Sequence, residues 1–174
     1  MSLDELVREH LPAAMRFAWR LTGDQHVAED IVQEALLRVS RSWRGFRRQA
    51  AFRTWLFRIV INVFRDHLAS RASWVELPSD LVDGKCGEPG RQLVDGELEA
   101  FLAQQIRQLP SRQREVLVLH VYEQLSPADI AKIVGIRVGN VHSTMNIARK
   151  TLATRLASSN HAPNANGFLR QREV

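Results

Sequence analysis

Between Glu34 and Asp66 the sequence carries eight arginines, Arg38, Arg41, Arg44, Arg47, Arg48, Arg53, Arg58 and Arg65, and no acidic residue. Six large aromatic side chains, Trp43, Phe46, Phe52, Trp55, Phe57 and Phe64, are interleaved with them. A guanidinium is permanently charged and its flat fork suits phosphate oxygens. An exposed ring offers a face on which an unpaired base stacks, at roughly 1–3 kcal/mol per base. Together these are the groups a surface needs to hold single-stranded nucleic acid. The plainer account is a basic helical hairpin with its aromatics in the core, and half or more of the rings belong there.

Bond-making chemistry has little support. The histidines, His10, His26, His67, His120, His142 and His161, lie scattered without metal-ligand spacing. No phosphate-cradling glycine loop, nucleophile elbow or paired-carboxylate motif occurs. We expect no enzyme, no cofactor and no metal. A second polar constellation, Glu29, Asp30, Gln33 and Glu34 with Leu37 one turn on, sits at helical spacing. Two accounts stand side by side. The acids could favour the dipole of a helix N-terminus. They could also form a docking surface, charged for specificity, with Ile31 or Leu37 buried against a partner.

The elements that position these groups read as helices throughout. Ser2 and Glu5 have capping-box spacing. Leu3, Leu6, Val7, Leu11, Ala14, Phe17, Ala18 and Leu21 then recur at helical period. Pro12 falls inside and should kink or split that helix. After Thr22-Gly23-Asp24 a second helix should run from about 25 to 43, with Val27, Ile31, Ala35, Leu36, Val39 and Trp43 as its apolar stripe. Gly45 breaks it, and 45–51 should be an exposed loop. A third helix covers about 52–70, with Trp55, Leu56, Ile59, Val60 and Val63 inward. Proline, glycine and acids from 74 to 94 indicate a linker. Further helices follow at about 96–108 and, capped by Ser111, at 112–123. Then Ser126 caps, Pro127 takes the first helical position, and Ala131, Gly135 and Val141 have the small–turn–apolar spacing of a helix-turn-helix. The tail 158–174 is polar and reads as disordered.

The chain has 174 residues and a formal charge of +5, which favours a polyanionic partner. Residues 1–74 carry twelve basic and eight acidic side chains, residues 75–99 two and seven, residues 100–174 ten and four. Two basic blocks flank an acidic connector, the pattern of two binding domains on a tether. The fold class is therefore all-α, two small helical domains joined by a flexible acidic linker, the second containing the helix-turn-helix. The one cysteine, Cys86, excludes an internal disulfide and fits a reducing compartment. No apolar window is long enough for a membrane span, and the first ten residues lack a signal-peptide apolar core. We expect a cytoplasmic protein.

Three runs, DQHVAEDIVQEALLRVSRSW, AFRTWLFRIVINVFRD and LPSRQREVLVLHVYEQLSPADIAKIVGIRVGNV, follow one another in that order. Together they resemble the extracytoplasmic-function (ECF) sigma factors of bacterial RNA polymerase, over about residues 3–72 and 95–156. The resemblance implies sigma domain two in residues 1–73 and sigma domain four in 95–157, with 74–94 between them. Asp30, Gln33 and Glu34, with Ile31 and Leu37, would meet the clamp of the polymerase's largest subunit. Arg44, Phe46, Arg47 and Arg48 in the loop, with Trp55, Arg58 and Asn62 on the following helix, would open and hold the minus-ten element of promoter DNA. Arg137, Asn140, His142, Ser143, Asn146, Arg149 and Lys150 would face the minus-thirty-five element, and another face of that domain the flap of the second-largest subunit. An anti-sigma factor is the implied regulator.

The sequence departs from the family pattern in one place. The second helix of the helix-turn-helix reads GNVHSTMNIAR, with His142, Thr144 and Ile147 where basic residues are common in the family. Fewer phosphate contacts weaken binding and flatten its salt dependence. Two rival readings follow. One is a sigma-like decoy that binds an anti-sigma protein and not DNA. The other is a stand-alone helix-turn-helix regulator, which leaves the AEDIVQEA face and the aromatics without a purpose.

Overall fold

The structure, a computed structural model, describes residues 2–46, 51–74 and 96–157. Every regular element in it is helical: α1 (Leu3–Thr22), α2 (Gln25–Ser42), a 3-10 turn at Trp43–Gly45, α3 (Phe52–Trp74), α4 (Gly96–Arg107), α5 (Ser111–Val121), α6 (Pro127–Val134) and α7 (Val138–Ala157). Two compact units divide the chain. α1, α2 and α3 lie in the first, α4, α5 and α7 in the second, and the division passes through α6 after Ile130. Arg47, Arg48, Cys86, His161, the expected connector beyond Trp74 and the expected tail lie outside the described residues.

α1 begins in a reciprocal cap. The Ser2 amide donates to Glu5 Oε2 at 2.8 Å and the Glu5 amide to Ser2 Oγ at 3.3 Å. The helix then runs through Pro12 as one element, so of the kink or split expected there the split does not occur. Proline forfeits one backbone bond. The stripe Ala14, Phe17, Ala18 and Leu21, fully buried after it, holds the helix down on its neighbours. Gly23 closes α1 with φ 73°, a left-handed conformation that glycine adopts without a Cβ clash. Asp24 at once starts α2, its carboxylate accepting the Val27 amide at 3.1 Å.

The first core joins that stripe to Ala28, Ile31, Val32, Ala35 and Val39 of α2 and to Leu56, Phe57, Val60, Ile61 and Phe64 of α3. Phe17 and Phe57 stack at its centre, ring centroids 4.7 Å apart. Each such side chain contributes about 1.5–3 kcal/mol by leaving water. α3 continues to Trp74, past the expected end near residue 70, because Arg71, Ala72 and Ser73 contain no helix breaker. Trp43 leaves α2 for the 3-10 turn.

In the second unit Leu102 and Ile106 of α4, Val116, Leu117 and Leu119 of α5, and Met145, Leu152 and Leu156 of α7 are buried. Ser111 is the first residue of α5 and caps nothing; Pro110 holds the capping position without a side-chain bond. The carbonyls that end α4 are met from α5. Arg114 donates to the carbonyls of Arg107 and Leu109, the latter at 3.1 Å. Burial, with the Arg107 charge adding to it, lowers the Arg114 pKa from the usual arginine value. Arg155 Nη1 of α7 donates to the Gln105 carbonyl at 3.3 Å.

Candidate nucleic-acid interface

The rings of the basic stretch divide into two sets. Phe52, Phe57 and Phe64 are buried; Trp43, Phe46 and Trp55 are half-buried. The half-buried three form a stack. Phe46 lies on Trp55 with centroids 4.6 Å apart and planes 28° apart, and on Trp43 at 5.5 Å and 18°. Phe52 closes the group edge-on, 5.8 Å from Trp55 and 6.0 Å from Phe46. His10 of α1 meets the edge of Phe52 at 5.4 Å. Offset and edge-on pairs of this kind add about 0.5–1.5 kcal/mol each beyond area burial. The stack sets the path of the chain from the end of α2 to Phe46.

Trp55 was expected inward with Leu56, Ile59, Val60 and Val63; of these Ile59 and Trp55 are only half-buried, and Trp55 has a specific reason. Ring contact with Phe46 replaces core contact. Arg58 and Asn62 are exposed one turn apart on α3, in line with Trp55 at spacings of three and four. Arg44, in the 3-10 turn between Trp43 and Gly45, is exposed. Arg53 sits over the Phe57 ring, 5.1 Å from its centroid, a cation–π contact that secures the first turn of α3.

The polar face of α2 is partly committed within the unit. Asp30, Gln33 and Leu37 are exposed at spacings of three and four, and Leu37 keeps 51% of its surface. Ile31 does not share that face. It retains 2% of its surface and belongs to the core, because its position matches Ala28 and Ala35, three before and four after, which are buried. Ile31 is thus removed from the expected docking residues. Glu34 accepts from Arg38 Nε at 2.8 Å, and Arg38 Nη1 donates to Asp66 of α3 at 2.8 Å. The Glu34 and then the Asp66 hydrogen bond raise the Arg38 pKa above its ordinary value. The Glu34–Arg38 spacing was visible in the sequence as an i, i+4 pair. Asp66, twenty-eight residues on, carried no such signal. The first turn of α2 holds no acid, so the dipole account of Glu29 and Asp30 fails.

The helix-turn-helix forms as expected. Ser126 Oγ accepts the Asp129 amide at 3.1 Å and donates to Asp129 Oδ2 at 2.7 Å, starting α6. Gly135 turns the chain at φ 76°, its amide bonded to the Ala131 carbonyl at 2.9 Å. Ala131 and Val141 are buried. On α7, Asn140, His142, Ser143, Asn146 and Lys150 are exposed, as is Arg137 just before it, and Arg149 is half-buried. No cluster of three potential metal ligands exists among the described residues. No described helix is long and apolar enough to cross a membrane.

Comparison with known proteins identifies the family. The sigma-70 region 2 family matches residues 6–73 and the sigma-70 region 4 family matches residues 102–152. The chain is 36% identical, over 90% of its length, to the ECF RNA polymerase sigma factor SigE of Mycolicibacterium smegmatis, and it spans 62% of that protein. It is 34% identical to the ECF RNA polymerase sigma factor EcfG of Rhodopseudomonas palustris, over 89% of this chain and 85% of that one. Its fold is similar to that of the sigma factor RpoE in complex with the anti-sigma factor NepR from Bartonella quintana. There the TM-score is 0.73, the identity 24%, and the match covers 90% of this chain and 98% of that one. A region 2 unit carrying the arginine-flanked aromatic stack and a region 4 unit carrying a helix-turn-helix, in that order, place this chain in the ECF family of sigma-70 RNA polymerase sigma factors.

Proposed function

We propose that this chain is an alternative sigma factor that binds core RNA polymerase, directs it to a set of promoters and helps open them, with no catalysis of its own. The observation that carries the reading is the Trp43–Phe46–Trp55 stack with Arg58 and Asn62 beside it on α3. A duplex reader has no need of half-exposed stacked rings, whereas a protein that holds unpaired bases does.

The magnitudes define a division of labour. Opening a duplex costs about 1.4 kcal/mol per base step. Stacking one or two flipped bases returns about 1–3 kcal/mol each. Residues 1–73 thus nucleate opening over a few base pairs, and the polymerase must sustain the bubble. Trp55, Arg58 and Asn62 hold the unpaired strand, with Arg44, Arg47 and Arg48 on its phosphates. Asp30, Gln33 and Leu37 form the surface for the largest subunit, with Glu34 at its edge. Residues 95–157 read the upstream element through α7 and meet the second-largest subunit, and the acidic connector 74–94 sets their reach. The protein works in the cytoplasm, where its polymerase is. An anti-sigma factor, of the kind bound to the related RpoE, is its expected inhibitor.

The decoy reading draws on one specific feature, the absence of arginine and lysine from Val138 to Ala148. Promoter-fragment binding separates the readings. We expect the free chain to bind promoter duplex poorly at physiological salt and the complex with core polymerase to bind it specifically. Tight, specific binding by the free chain would favour a stand-alone regulator. Core binding with no DNA recognition would favour a decoy.

A further inference from the structure

The outward face of α7 carries an inference that rests on the promoter reading above. Opposite the buried stripe Val141, Met145, Ala148 and Leu152 lies a second stripe, Asn140, Ser143, Ile147 and Lys150, at helical spacing. Ile147 is 52% exposed at its middle. One exposed apolar residue is ordinary in itself; here its neighbours decide what it does.

Between Arg137 and Arg149 the helix has no arginine or lysine. A bidentate arginine on guanine O6 and N7 is the commonest base-specific contact, and the centre of this face cannot make it. Two of the hydroxyl protons nearby are already used. Ser143 Oγ donates to the carbonyls of Gly139 and Asn140, both at 3.2 Å, and Thr151 Oγ1 to the Ile147 carbonyl at 3.0 Å. Along this stripe an amide at Asn140 and an alkyl group at Ile147 are the groups that can meet a base edge, with the exposed Asn146 amide and His142 ring to either side. An amide pairs with adenine N6 and N7, and the thymine 5-methyl is the apolar group that the major groove presents. Both partners belong to A·T pairs. Arg137 and Lys150, exposed at the two ends of the stripe, supply charge for the flanking phosphates.

We infer that Ile147 determines specificity in the upstream element by packing on the 5-methyl of a thymine. This chain's promoters then carry an A·T pair where an arginine at that position would demand guanine.

The test uses core polymerase loaded with the full chain to select duplexes from a random pool of promoter fragments. Thymines of any shared upstream element are then replaced singly by deoxyuridine, which removes only the methyl group. We expect one position at which deoxyuridine weakens binding about fourfold. That loss should vanish in Ile147→Ala, and Ile147→Arg should move selection at that position toward guanine. A shared element with no deoxyuridine effect, or with the same effect in Ile147→Ala, overturns the inference and leaves the promoter reading standing. Core binding with no shared element overturns both.

Discussion

Phe46 lies face to face on Trp55, with ring centroids 4.6 Å apart. One side of the tryptophan is thus covered from within, by the last described residue before the basic loop. A base that stacks on Trp55 must use its other face or displace Phe46. Trp55→Ala should therefore lower open-complex formation by about 5- to 100-fold, the range for one lost stacking partner. Trp55→Phe, which keeps a ring, should retain most of it. Permanganate reactivity at the start site measures the opening, and a thermal melt of each variant separates this effect from unfolding. Normal reactivity in a folded Trp55→Ala would remove Trp55 from the role.

Two apolar residues of α2 should behave oppositely. Ile31→Ala empties part of a packed core and should cost about 2–5 kcal/mol of stability. Leu37→Ala should leave the melting temperature within a degree or two and weaken core-polymerase binding about tenfold or more, as truncation of a central contact residue does. Asp30→Ala with Gln33→Ala should likewise weaken binding and spare the fold. Pull-down with core polymerase, beside a thermal melt, reads both. Unchanged affinity in all of them would sink the assignment of this face.

Arg38 ties α2 to α3 through Asp66 while holding Glu34 on its own helix. All three side chains are more than a third exposed, so water and salt screen the pairs. Arg38→Ala should cost no more than about 1 kcal/mol, and raising the salt should erase much of the difference. A loss several times larger would mean that the network does more than pin the two helices.

Gly135 holds φ 76° where the helix-turn-helix turns, with open space around its Cβ position. Gly135→Ala should therefore destabilise the helix-turn-helix by about 1 kcal/mol through backbone strain and not through a clash. Gly139→Ala, in helical backbone with equal space, should be neutral or slightly stabilising. Thermal melts of the pair compare the two causes directly.

Local chemistry made most of the fold legible. The Ser2–Glu5 cap, the Gly23-Asp24 stop and start, and the Ser126-Pro127 entry to α6 each reside in a few adjacent residues, and each is found in the structure. Errors arose where tertiary packing outweighed local signals. The buried stripe of α1 carried the helix through Pro12. Ser111 resembled a cap, but it is the first residue of α5, and Pro110, which has no side chain able to accept an amide, holds the capping position. In the site, spacing placed Asp30, Gln33 and Leu37 on one face correctly. The same spacing also put Ile31 in the apolar stripe of α2, against its place among the docking residues, and the structure decides for the core. Spacing could not show that Arg38 reaches Asp66, since that depends on how α2 and α3 meet. The mutual stacking of Trp43, Phe46 and Trp55 was likewise invisible, because a ring's composition signal is the same whether it faces a base or another ring.

Run-off transcription with purified core polymerase, this chain and a library of promoter fragments tests the central claim most directly. The account predicts discrete start sites whose templates share two spaced upstream elements, with no transcripts from core polymerase alone. Absence of any specific start site, with core binding intact, would contradict it.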